Sequence, residues 1–126
     1  MPGGREEYRL REFVVGGKAQ GKRHYVMEKY GFLKEEICDG AVCTPEELES
    51  AAAVDRYQEF IRRFPESRPV FRSDAVVICD EMGGGIVPAD PEERKWREAA
   101  GRAGCRAAAE ADSVVRVVCG IPMRLK

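Results

Sequence analysis

The stretch Phe13-Val14-Val15-Gly16-Gly17-Lys18-Ala19-Gln20-Gly21-Lys22-Arg23-His24 decides how this chain is read. The residues leading to Val15 are apolar and predict a strand over 8–15. Two glycines break it, and a helix follows from about Gly21 to Tyr30, with Gly31 as its stop. From Gly16 to Lys22 the spacing is G-x-x-x-x-G-K, set between a strand and a helix. In that setting successive backbone N–H groups converge on an anion, and the helix adds its positive end. On this reading Gly16, Gly17, Lys18, Ala19, Gln20, Gly21, Lys22 and Arg23 bind the phosphates of a nucleotide. Lys22 is the candidate catalytic group, a point charge that stabilises the outer phosphates. Where such a loop normally ends in Ser or Thr to hold Mg2+, this chain has Arg23. A guanidinium repels a cation and is itself able to bind phosphate. The alternative is a glycine-rich turn that binds nothing. His24, the only histidine, is either a base or covalent carrier beside the loop, or an exposed residue of the first helical turn. No partner for it is identifiable, which favours the second reading.

Working outward, residues 34–43 read as irregular, with Asp39-Gly40 a turn signal. Thr44, Pro45 and Glu47 predict a capped helix start. Ala53, Tyr57, Phe60, Ile61 and Phe64 carry that helix on at helical spacing until Pro65. Ala75-Val76-Val77-Ile78-Cys79 predicts a second strand, apolar throughout and so buried on both faces, as in a parallel sheet. It leads through Asp80-Glu81 into a second glycine loop, Met82-Gly83-Gly84-Gly85-Ile86-Val87-Pro88. Asp80, Glu81, Gly83 and Gly85 are candidate residues of this loop. Adjacent strand residues face opposite sides, so at most one of the two acids points at a given site. Asp90, Pro91 and Glu93 open a third helix with Trp96, Ala100, Ala103, Ala107 and Ala111 on its inner face. A third strand spans 114–119, and the rest is a short tail.

Strands alternating with helices imply a parallel sheet with right-handed crossovers. Both glycine loops then fall at the carboxyl ends of strands, where ligands of such sheets bind. The expectation is an α/β protein, a P-loop-like three-layer domain with a small, mainly parallel sheet, occupying 1–126 as one nucleotide-binding domain with residues 1–7 a flexible N-terminus.

Composition narrows the function classes. Apolar residues make up 44% of the chain and charged residues 34%, with a net charge of -1. That balance exerts no pull toward nucleic acid or anionic membrane, and it favours self-association. No apolar run is long enough to span a bilayer, and the first seven residues lack the apolar centre of a signal peptide, which implies a cytoplasmic protein. Five cysteines without C-x-x-C spacing argue against a disulfide framework or a zinc site. Cys79 and Cys119 read as small core residues.

The second half carries a more specific signal. Asp80-Glu81-Met82-Gly83-Gly84-Gly85-Ile86-Val87-Pro88 resembles the N-E-x-G-x-G-I-V-P segment of the bifunctional adenosylcobinamide kinase/adenosylcobinamide-phosphate guanylyltransferase family. The likeness continues through Trp96-Arg97-Glu98, Gly101-Arg102, Ala108 and Ala111-Asp112. It ends at Val117-Val118-Cys119-Gly120-Ile121-Pro122, similar to the family's V-V-S-G-I-P. The loop at 16–23 is similar to G-G-x-x-S-G-K-S. The resemblance covers about residues 10–30 and 72–126. It implies a transferase of cobalamin biosynthesis that uses GTP or ATP, with Mg2+ as an accompanying ion, a corrinoid substrate and a homo-oligomeric state. Phe32 to Val70 is shorter than in the family and holds no histidine. The resemblance therefore implies kinase-type phosphoryl transfer rather than guanylyl transfer. A non-catalytic nucleotide or corrinoid binder, a regulatory or partner subunit, is the alternative.

Overall fold

The computed structural model describes residues 9–82 and 89–126. The expected flexible N-terminus at 1–7 and the loop at 83–88, with Gly83 and Gly85, lie outside the described residues. The chain runs β1 (Leu10–Gly16), α1 (Lys22–Tyr30), a 3-10 turn (Lys34–Glu36), β2 (Ile37–Asp39), α2 (Pro45–Ser50) and β3 (Ala53–Asp55). It continues with α3 (Tyr57–Arg63), β4 (Val76–Asp80), α4 (Pro91–Glu110), β5 (Ala111–Val118) and β6 (Ile121–Arg124). The strands form one six-stranded sheet in the order β2-β3-β4-β1-β5-β6. All neighbours are parallel except β5 and β6.

The apolar runs dictate three layers. In β4, Val76 and Ile78 join Val14, Val115 and Val117 on one face, where Val26 of α1 covers them. Val77 and Cys79 face the other way, onto Phe60 and Ile61 of α3 and Ala100, Ala103 and Ala107 of α4. The small alanines let α4 lie close against the sheet. A side chain sealed on both faces needs no polar alternation, which is why β4 reads as an unbroken apolar run. Burial pushes the Cys79 thiol up to about 12. No helix among the described residues is long and apolar enough to cross a membrane.

Several expectations need correcting. The helix anticipated from Thr44 to Phe64 is two helices with a strand between them. Thr44 does cap its start: its Oγ accepts from the Glu47 amide at 3.1 Å, and the Glu47 carboxylate accepts from the Thr44 amide at 2.8 Å. The helix stops at Ser50, whose hydroxyl donates to the carbonyls of Glu46 and Glu47 and satisfies acceptors the next turn would have used. Ala53 and Val54 then pair with Val76 and Val77 of β4, so tertiary pairing overrides the helical propensity of the alanines. The segment at 34–43 holds β2, and the tail holds β6. Helix α4 ends at Glu110, so Ala111 opens β5 instead of closing the helix. Asp90 caps α4 by accepting from the Glu92 amide at 2.9 Å. Cys119 is exposed at the β5–β6 turn, not buried in the core.

The sheet also buries a charge. Glu12 in β1 has no solvent exposure. Its carboxylate accepts from the Tyr30 hydroxyl at 2.8 Å, the Ser113 hydroxyl at 2.9 Å, Lys29 Nζ at 3.0 Å and the Tyr25 hydroxyl at 3.2 Å. Burial alone would lower the Lys29 pKa; its bonds to Tyr25 and Glu12 overcome that and raise it. Burial first, and then the Glu12 bond, push the Tyr30 phenol up to about 12. Three of the four donors come from α1, so this cluster fixes the helix whose first turn carries Lys22 and Arg23.

Replacing Lys29 by Ala strands a buried carboxylate without its counter-charge. The expected cost is about 3 kcal/mol in urea denaturation. Glu12→Gln keeps the side-chain size, removes the charge and turns one acceptor oxygen into a donor that the neighbouring hydroxyls can rotate to accept, and it is expected to cost less than Lys29→Ala. The reverse ranking would mean that the charge pair does not hold α1 in place.

Candidate functional site at the carboxyl edge of the sheet

Parallel pairing sends the ends of β1, β2, β3 and β4 to one edge. The crossover after β1 runs through α1 on one face toward β2, and the crossover after β4 runs the other way through α4 on the opposite face to β5, so the loops after β1 and β4 flank the point where strand order reverses. At Gly16 a Cβ would stand 2.5 Å from the Val117 carbonyl oxygen and 3.3 Å from Lys22 Cδ, so only glycine lets the loop leave the sheet here. Gly21 caps α1 in the left-handed region at φ 91, with Gly120 Cα 3.3 Å from where its Cβ would be. The loop is latched from the side: the Gln20 carbonyl accepts from the Gly120 amide at 2.8 Å, and Gln20 Oε1 accepts from the Cys119 amide at 2.7 Å.

The backbone amides between Gly17 and His24 donate to no acceptor among the described residues. Those of Gly21, Lys22, Arg23 and His24 are the unpaired donors that any helix start leaves. Lys18, Ala19 and Gly21 are exposed, while Lys22 is buried. Lys22 Nζ donates to the Gly17 carbonyl at 2.7 Å and pairs with Asp80 Oδ1 at 2.9 Å. The ammonium thus sits inside the loop, held by the end of β4. As a two-residue strand end requires, Asp80 and Glu81 diverge. Asp80 faces the loop, and Glu81 meets Arg116 of β5, whose Nη2 donates to Oε2 at 3.1 Å. Of the predicted site residues, the structure therefore brings the 16–23 loop and Asp80 together and turns Glu81 aside. His24 is exposed and pairs with Glu28 at 3.3 Å, away from the loop.

Sequence reasoning missed the rest of this edge. Asp39 ends β2 and Asp55 ends β3. Arg56, at φ 54, turns back so that Nε and Nη2 grip Asp39 at 3.0 and 2.7 Å. That grip holds the Asp39 carboxyl below its usual range. Burial pushes Asp55 above its usual range, against the pull of the Arg56 amide on its carboxylate. Arg23 Nε approaches Asp55 Oδ2 at 3.9 Å. Gln58 of α3, also unforeseen, accepts from the Asp80 amide at 3.0 Å and so fixes the end of β4. One signal marks β2: Ile37-Cys38-Asp39 repeats as Ile78-Cys79-Asp80 of β4, an apolar run stopped by an acid. Among the described residues, no group of three His, Cys, Asp or Glu side chains is placed to hold a metal ion.

A three-layer α/β sheet with a glycine loop and a lysine at its switch point defines a protein of the P-loop-like class. Residues 40–125 match the family described as cobinamide kinase / cobinamide phosphate guanyltransferase, and the chain belongs to that family. A 51-residue stretch is 45% identical to the bifunctional adenosylcobalamin biosynthesis protein CobU of Salmonella typhimurium, a match that covers 40% of this chain and 28% of that protein. The family match extends into the middle segment that the motif comparison had set aside. It begins after the 16–23 loop, so the loop is read from its own residues and geometry.

Asp39 offers a pH test. Its folded pKa is lowered, so its pairing with Arg56 stabilises the protein fully above the ordinary value of 3.8 and fades as pH falls below that. Asp39→Asn is expected to lower Tm near neutral pH, and the difference from the parent should shrink in acid. A difference that stayed constant with pH would rule out the charged pair as its source.

Proposed function

We propose that this chain binds GTP or ATP through Gly16 to Arg23 and acts in cobalamin biosynthesis as a kinase-type transferase on a corrinoid alcohol. The observation that carries the reading is the row of unpaired amides from Gly17 to His24, closed around the buried ammonium of Lys22. Amides already paired within the protein would leave no room for an anion; these have no competitor among the described residues. Lys22 is held in the loop by Gly17 and Asp80, so an arriving phosphate exchanges one oxygen partner for another without moving the lysine far. Phosphoryl transfer depends mainly on positioning and on neutralising charge on the transferred group, and Lys22 serves both needs. Family membership supports the corrinoid as acceptor. Guanylyl transfer through a histidine has less support, because the one histidine is exposed and turned toward Glu28. Self-association is part of the proposal: Ile121 and Met123 leave the β6 edge apolar and open.

A second reading, a nucleotide or corrinoid binder without catalysis, is favoured by one observation. Asp80, the acid nearest the loop, is engaged by Lys22 and so is not free to act on a substrate hydroxyl.

Titration with GTP and ATP is expected to show binding that Lys22→Ala weakens at least tenfold, the loss of one charge-assisted contact to phosphate. Incubation of adenosylcobinamide with γ-labelled nucleotide is expected to label the corrinoid, and incubation with α-labelled GTP is expected to leave the denatured protein unlabelled. Binding without transfer would select the second reading, and labelled protein would restore guanylyl transfer.

A further inference from the structure

A phosphate loop is ordinarily served by Mg2+, held by a hydroxyl at the last loop position and a carboxylate on a neighbouring strand end. The residues of this chain do not fit that ion. The hydroxyl position is Arg23, which brings a fixed positive charge to the place where the cation would stand. The strand-end acids are engaged as well. Asp80 lies 2.9 Å from Lys22 Nζ, Glu81 2.7 Å from Arg116 Nε, and Asp39 2.7 Å from Arg56 Nη2. Asp55 is approached by Arg23 itself at 3.9 Å. Each acid along this edge thus faces a base, and no set of three ligands is assembled among the described residues.

Arg23 is the least committed of these bases. Its approach to Asp55 is long and is not accompanied by a hydrogen bond among the described residues, and its side chain is 45% exposed. It stands in the first turn of α1 beside Lys22, at the same helix end that presents the unpaired amides. A guanidinium there offers a planar fork to two phosphate oxygens, a match that a hydroxyl cannot make alone. Lys22, Arg23 and the helix end are thus the positive groups gathered at the loop.

Taking the 16–23 loop as the nucleotide site proposed above, we infer that it binds the nucleotide phosphates without a divalent cation, Arg23 supplying the positive charge that a metal supplies in other such loops. The substitution at the last position and the paired acids are two sides of one change: the charge that the ion would bring is built into the chain, and the ligands that would hold the ion are occupied.

Calorimetric titration of the full chain with GTP and with ATP, in EDTA and again in saturating Mg2+, tests this without any substitution. Affinity in EDTA at least as high as in Mg2+ is expected, because Mg2+ bound to the free nucleotide competes with the loop for its phosphates. Arg23→Ser, at an exposed position, is expected to weaken binding in EDTA about tenfold and to make Mg2+ strengthen binding. Arg23→Lys keeps the charge without the fork and is expected to fall between the two. Parent affinity at least tenfold higher in Mg2+ would overturn the inference and leave the nucleotide site standing. So would an Arg23→Ser variant that binds as the parent does in EDTA. No binding in either buffer would remove the nucleotide site itself, and the inference with it.

Discussion

Strands that run parallel must deliver their carboxyl ends to the same edge, and the organisation of this protein follows from that constraint. β1, β2, β3 and β4 pair side by side in one direction, so the Gly16 loop, Asp39, Asp55 and Asp80 arrive together although the sequence scatters them. A parallel sheet is stable only when both faces are covered. α1 covers one face, and α2, α3 and α4 the other. The same covering places the start of α1, with its unpaired amides, over the end of β1. Fold and site are thus set by one packing requirement.

Burial of charge tightens this arrangement. Glu12 sits on the α1 side of the sheet, with three of its donors on that helix. A carboxylate taken fully out of water must be satisfied or it destabilises the fold by several kcal/mol, so α1 is confined to the few positions from which Tyr25, Lys29 and Tyr30 can all reach it. That confinement extends to the other end of the helix, where Lys22 enters the loop. At the outer part of the edge the pairing is of another kind. Arg56 leaves the favoured backbone region to reach Asp39, a local strain offset by two hydrogen bonds to one carboxylate.

How much of this was legible in the sequence depended on how each segment is stabilised. β1, α1 and β4 carry their own signals: apolar runs longer than a turn, glycines at both ends of α1, and an acid after the last apolar residue. The loop could be placed because its glycines break the strand and open the helix, although the close approach of Val117 and Gly120 that also requires them is tertiary. β2 and β3 are three residues each, and nothing local distinguishes Ala51-Ala52-Ala53 from a helix. They become strands only because β4 offers them a ladder, an interaction between residues some twenty positions apart. Asp39, Asp55 and Gln58 were missed for the same reason, since their place is set by that ladder. The repeated Ile-Cys-Asp was a trace of Asp39 alone. Glu12 was hidden because its partners lie in a helix and a distant strand.

The indole of Trp96 is tied into this edge in a way that has a practical side. Trp96 Nε1 donates to the Gln58 carbonyl at 2.7 Å, Arg62 lies 3.5 Å above the ring, and the Gln58 side chain holds the Asp80 amide. As the chain's sole tryptophan, it stands two hydrogen bonds from the backbone amide of Asp80, the residue whose carboxylate holds Lys22. Any event in the loop that shifts the end of β4 also alters the field around this ring. The molecule therefore carries a native fluorophore at the far end of its own relay, and its emission can be followed without attaching a dye.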